Sequence, residues 1–181
     1  MTAIRILRLV LSSVLAWSLA AQAAVNDVEV IAVAEGDVLS VADAEGSRYE
    51  VRLAGIDAPE PDQPFGEPAR QALAALVLGR PARLEWDEVD RSGRAVGRLW
   101  VVSPDMPCRE EPRCPKNLDA GHALITMGLA WHFKRCEAEQ GEEDRARYAD
   151  DEREARARKA GLWVEPDPVP PWAWRERARQ H

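Results

Sequence analysis

The amino-acid sequence predicts an α+β fold, a small five-stranded β-barrel with about three helices packed on it. Short apolar or alternating runs, separated by turn residues, fill residues 28–102. Helical periodicity appears in three separate segments. The length, 181 residues, suffices for one domain with a sizeable core but not for two. With 46% hydrophobic and 30% charged residues, the balance is that of a folded chain and excludes global disorder.

The first strand signal runs from Val28 to Val33 and stops at Glu35-Gly36-Asp37. Val38 to Ala42 resumes it, and Asp43-Ala44-Glu45-Gly46 has the residues of a hairpin turn. Arg48 to Leu53 alternates strictly, so Tyr49, Val51 and Leu53 face a core while Arg48, Glu50 and Arg52 face away. Ala82 to Val89 alternates through Leu84 and Trp86. After the turn at Ser92-Gly93, Ala95 to Val102 supplies a fifth strand. Five short strands suit a partly open barrel of the oligonucleotide-binding (OB-fold) type.

The first helix spans Pro68 to Leu78, with apolar residues at Ala69, Ala72, Leu73, Leu76 and Val77, a proline in its first turn and Gly79 after its end. Asp119 is an N-cap for a second helix that runs through Leu124 and Met127 to Gly128. The third, Glu142 to Ala160, has acids in its first turn and Arg156, Arg158 and Lys159 in its last, matching the helix dipole. Its charge run reads as a solvated face. Prolines at 166, 168, 170 and 171 make residues 165–181 an extended arm, laid on the domain by Trp172 and Trp174. A ligand for a proline-recognising partner also fits that composition.

Residues 1–23 have the pattern of a secretory signal peptide: Arg5 and Arg8, an apolar run from Leu9 to Ala20, then Ala21-Gln22-Ala23. The run is shorter than the roughly 20 residues a spanning helix needs. The mature domain, 24–181, is therefore expected to be exported, to the periplasm or beyond the cell. The formal charge of −7 becomes −9 when Arg5 and Arg8 are removed. A chain this acidic holds a polyanion only through a local cluster of cations or a bound metal, not by bulk charge. In an oxidising compartment Cys108 and Cys114 can close a small loop. Zinc ligation by the same pair with His122 is the competing use, and it lacks a fourth ligand. Cys136 is left over.

Charged groups suited to phosphate chemistry collect at strand ends. Asp37 lies in the first turn, Arg52 ends a strand on its polar side, and Asp57-Ala58-Pro59-Glu60 follows, with Pro59 fixing the backbone between two acids. Arg94 lies just past Ser92-Gly93. Arginine binds two phosphate oxygens at once and keeps its charge, calcium takes carboxylate and backbone oxygens, and a glutamate can deprotonate water. The same residues also fit solvent-facing turns, since Asp, Pro and Gly favour turns anyway.

The blocks Val51-Arg52-Leu53-Ala54-Gly55-Ile56-Asp57-Ala58-Pro59-Glu60, Gln63-Pro64-Phe65-Gly66, Asp90-Arg91-Ser92-Gly93-Arg94, Gly128-Leu129-Ala130-Trp131 and Ala155-Arg156 with Gly161-Leu162-Trp163 resemble, in order, the staphylococcal nuclease-like (thermonuclease) family. The resemblance spans roughly Val28 to Trp174. It implies a calcium-dependent endonuclease acting on DNA and RNA, with single strands preferred. Arg52 and Arg94 would stabilise the transition state and Glu60 would be the general base. Asp37, Asp57 and the backbone carbonyl of Ala58 would hold Ca2+. Nucleic acid is the expected partner of a monomeric enzyme.

The sequence departs from the family pattern in places. Glu35-Gly36-Asp37-Val38 stands where Asp-Gly-Asp-Thr is usual, and Lys134 and Cys136 fall where tyrosines line the type member's nucleotide pocket. Ser92 replaces a common aromatic. Base stacking contributes about 1–3 kcal/mol per base, so base preference is expected to differ. Two other readings remain: a non-catalytic OB-type module of the cell envelope that binds nucleic acid or protein, and a disulfide-stapled structural protein.

Overall fold

The alternating segments pair into a closed barrel. A computed structural model describes residues 24–180 except 110 and 112; the expected signal peptide lies outside them. Strands β1 (Ala24–Val33), β2 (Val38–Asp43) and β3 (Arg48–Leu53) form an antiparallel meander. On its other edge β1 pairs with β5 (Pro81–Val89), which pairs with β6 (Ala95–Val101). A parallel pairing of β3 with β6, Val51 opposite Ala95 and Leu53 opposite Gly97, closes the ring. The five-stranded barrel is as expected. Short strands extend it: β7 (Leu118–Asp119) joins β6, and β4 (Ile56–Asp57) pairs with β8 (Trp131–His132).

The predicted alternation of β3 holds, with Val51 and Leu53 buried and Arg48 and Glu50 exposed. Inward residues Val30, Leu39, Val41, Leu84 and Leu99 complete the interior. Helix α1 (Gly66–Val77) caps it through Ala69, Leu73, Leu76 and Val77, starting two residues earlier than Pro68 suggests because Phe65 adopts a left-handed conformation (φ 70°) that starts the helix at Gly66. Helix α2 (Ala120–Thr126) buries Leu124 and Ile125. Helix α3 (Glu142–Ala157) buries only Tyr148, Glu152 and Ala155, so most of its charges are solvated as expected.

A second, smaller apolar cluster joins Trp131, Ala155, Leu162 and Trp163, with Trp172 packed at its edge. Arg156 lies over the Trp163 ring at 3.8 Å. The tail anchors here, but it is not extended throughout. Pro171–Ala178 form a fourth helix, α4. Pro171 opens that helix, where a missing N–H breaks no helical bond, so the prolines limit only the chain before it. The Cys108–Cys114 disulfide is formed, which closes the zinc alternative.

Asp119 joins the helices to the barrel. One carboxylate oxygen accepts from the amides of Gly121 and His122 at the start of α2; the other accepts from the buried Tyr148 hydroxyl of α3 at 2.8 Å. Asp119→Ala is expected to destabilise the fold by about 3 kcal/mol, a lost cap plus a stranded hydroxyl. Tyr148→Phe, which leaves the cap intact, should cost about half of that. Urea denaturation checks the order; equal losses would mean the cap contributes little.

Candidate active site

At one end of the barrel a cleft of about 440 Å³ collects side chains from separate parts of the chain. Asp37 enters from the β1–β2 turn, Arg52 from the end of β3, Asp57 and Glu60 from the segment after it, and Arg94 from the start of β6. These are five of the six positions named from the sequence. The sixth, Ala58, is buried beneath the cleft, and its amide donates to the Asp37 carboxylate at 3.4 Å. Glu35 also lines the cleft.

Close packing sets these positions. The Leu53 amide donates to the Asp37 carbonyl at 2.8 Å, tying the β1–β2 turn to the end of β3. Gly36 lies so near Ala58 and Ala69 that a side chain there would meet both methyl groups within 2.7 Å. That approach brings Asp37 beside the Asp57 segment. Gly66 presses still more closely on the Glu60 carbonyl, whose oxygen a side chain there would meet at 1.9 Å, and the Gln63 amide donates to the same carbonyl at 2.9 Å. Glu60 thus extends from a braced turn.

The acids repel one another. Burial, then the charges of Asp57 and Glu35, push the Asp37 carboxyl up to about 7. Burial and Glu60 raise Glu35. Burial raises Asp57 too, against the pull of Arg175. Such a set is short of positive charge, and its donors are all hard oxygens of the kind calcium takes. Among the described residues no three or more His, Cys, Asp or Glu side chains form a ready-made cage; a calcium ion here would complete its shell with backbone oxygen and water.

The two arginines are held by carboxylates of their own. Arg94 Nε donates to Asp90 at 2.8 Å, and Asp90 also accepts the amides of Ser92 and Arg94, which shapes the loop. Burial favours a raised Asp90 carboxyl, but these donors hold it below its usual range. Arg52 reaches the same Asp90 at 3.8 Å and bonds Glu139 at 2.5 Å. Glu139, in the 3₁₀ segment Lys134–Glu139, also accepts the Gly55 amide. Both guanidinium groups are therefore oriented in advance.

The sequence reading missed Glu139 and Arg175. Arg175 of α4 spans both oxygens of Asp57, at 2.7 and 3.0 Å, and touches Glu60 at 2.5 Å. No local pattern announces either residue. The Asp90-x-Ser-Gly-Arg spacing, by contrast, is a legible loop cap. Of the positions marked as departures, Cys136 lines the cleft beside Phe133, while Lys134 pairs with Glu152 at 3.9 Å in a neighbouring groove. His122 pairs with Asp151 and His132 is buried against Gln140, both away from the cleft.

The sequence model of the family described as "Staphylococcal nuclease homologue" matches residues 50–165. The chain belongs to the staphylococcal nuclease-like family. It is 37% identical over 150 residues to "Protein ParB" of Escherichia coli, covering 83% of this chain and 79% of that protein. It is 32% identical over 151 residues to a "Micrococcal nuclease" of Shigella flexneri, 83% and 81% of the two chains. A "Probable staphylococcal-like nuclease" of Oryza sativa subsp. japonica is 35% identical over 144 residues, which are 78% of this chain but 34% of the plant protein. In this member of the staphylococcal nuclease-like family the matched segment holds Arg52, Asp57, Glu60 and Arg94, whereas Asp37 precedes it and Arg175 follows it.

Cys136 is the one thiol outside the disulfide. Burial, then the Glu139 carboxylate, push it up to about 11. Little thiolate exists at pH 8, so iodoacetamide should label native protein at least about tenfold more slowly than urea-unfolded protein. Equal rates would contradict the half-buried, acid-flanked position.

Proposed function

We propose that the protein is a calcium-dependent nuclease that hydrolyses phosphodiester bonds of DNA and RNA, with single strands preferred. The observation that carries this reading is the convergence of Arg52 and Arg94 with Asp37, Asp57 and Glu60 on one cleft. Family membership, and relatives whose names describe nucleases, support it.

Arg52 and Arg94 bind the scissile phosphate and stabilise charge that develops on its oxygens. Glu139 and Asp90 keep them aimed, so little reorientation is needed when substrate arrives. Glu60 accepts a proton from the attacking water or positions it. The carboxylates of Asp37 and Asp57 and the Ala58 carbonyl hold calcium, with Glu35 adding negative charge nearby. Calcium, when bound, supplies the electrophilic pull on phosphorus and offsets the acidic surroundings that the substrate must enter. An unpaired strand gives an open cleft readier access to phosphates and bases than a duplex does.

The rival reading is a binding module on the same barrel. The full charged set favours hydrolysis, because a module that only binds has no use for a carboxylate beside two phosphate-binding arginines. We further propose that residues 1–23 direct export and that the mature chain acts as a monomer.

The test is digestion of denatured DNA. Wild-type protein should degrade it with calcium and stop when a chelator is added. Glu60→Gln should lower kcat by about 10²-fold or more with its fold intact. A Glu60→Gln protein as fast as wild type would overturn the mechanism.

A further inference from the structure

The C-terminal helix places a positive charge where the acidic cleft most needs one. Arg175 spans both carboxylate oxygens of Asp57 and also bonds Glu60. These are the two acids to which the reading above gives a metal and a water, and α4 lies beyond the segment that matches the family. A guanidinium bonded to both Asp57 oxygens competes with a divalent cation for them, since the two positive charges would repel across a buried carboxylate.

The helix is held in a way that allows release. Its first turn is fixed: Pro171 is buried, and Trp172 packs between Trp131 at 5.6 Å and Phe133 at 5.4 Å. Upstream, Gln63 donates to the Val169 carbonyl at 2.5 Å. Beyond Pro171 no residue of α4 is fully buried, and the Arg175 side chain is 39% exposed. Moving the turn that carries Arg175 outward would return the guanidinium to water at small desolvation cost, and it would give up the exposed Trp174 hydrogen bond to Asp62 at 3.1 Å and the Arg135–Glu176 pair at 3.7 Å. Segments of this kind open at the low end of a protein's range of local stabilities.

We propose that α4 is a latch: Arg175 takes the cation's place on Asp57 and Glu60, so calcium and the latched helix exclude one another. The proposal rests on the calcium reading of the cleft. The latched form is a stored state with its general base and metal ligand both neutralised. Calcium converts it to the working form, and the latch raises the calcium concentration required.

The test compares calcium binding by the full chain and by Arg175→Gln, using titration calorimetry. A latch engaged about nine-tenths of the time weakens apparent affinity about tenfold. Arg175→Gln should therefore bind calcium about tenfold more tightly than wild type. Trp172→Ala, which loosens the anchor without touching the guanidinium, should shift in the same direction. Hydrogen exchange of wild-type protein supplies a second readout, with amides of residues 171–178 exchanging faster once calcium is added. Equal or weaker calcium binding by Arg175→Gln, or calcium-independent exchange of α4, would overturn the latch alone. If neither protein binds calcium, the latch and the calcium reading both fail.

Discussion

The parallel pairing of β3 with β6 is the contact on which the rest depends. It closes the barrel, and its register sets the end of β3 beside the start of β6. Arg52 and Arg94, distant in sequence, thereby meet at one carboxylate, Asp90. Val51 and Leu53 point into the packed interior on either side of Arg52, so the guanidinium stands on a strand that cannot slip by one residue without exposing core. Two phosphate-binding groups need this kind of rigid base, because a loop would let them drift apart under mutual repulsion.

The acids answer a different constraint. Backbone packing at Gly36 and Gly66 brings them into the cleft, and Arg175 offsets part of the repulsion at Asp57 and Glu60. The outcome is one pocket in which arginines locked to Asp90 and Glu139 stand beside crowded carboxylates. A chain of net charge −7 can address a polyanion only through such a local cluster of cations or a bound metal. The same crowding explains why an arginine from a distant helix finds a stable seat on Asp57.

Local features were legible in the sequence. The alternation of Arg48 to Leu53, the Asp119 cap and the five charged cleft residues all rest on patterns within a few residues, or on blocks that resemble the family. What was not legible depends on distant partners. Glu139 meets Arg52 across 87 positions, and Arg175 meets Asp57 across 118. The segment carrying Glu139 is a short 3₁₀ stretch with no period of its own. In the tail, proline density signals an extended chain, yet Pro171 is compatible with a helix because it stands in the first turn. Closely spaced prolines constrain what comes before each of them more than what comes after.

The most direct measurement is a crystal structure of the protein soaked with calcium and a short phosphorothioate-linked single strand. The account predicts a cation at about 2.3–2.6 Å from carboxylate oxygens of Asp37 and Asp57, with one backbone phosphate in reach of both Arg52 and Arg94. A cation bound elsewhere, or a strand whose phosphates avoid the two arginines, would contradict it.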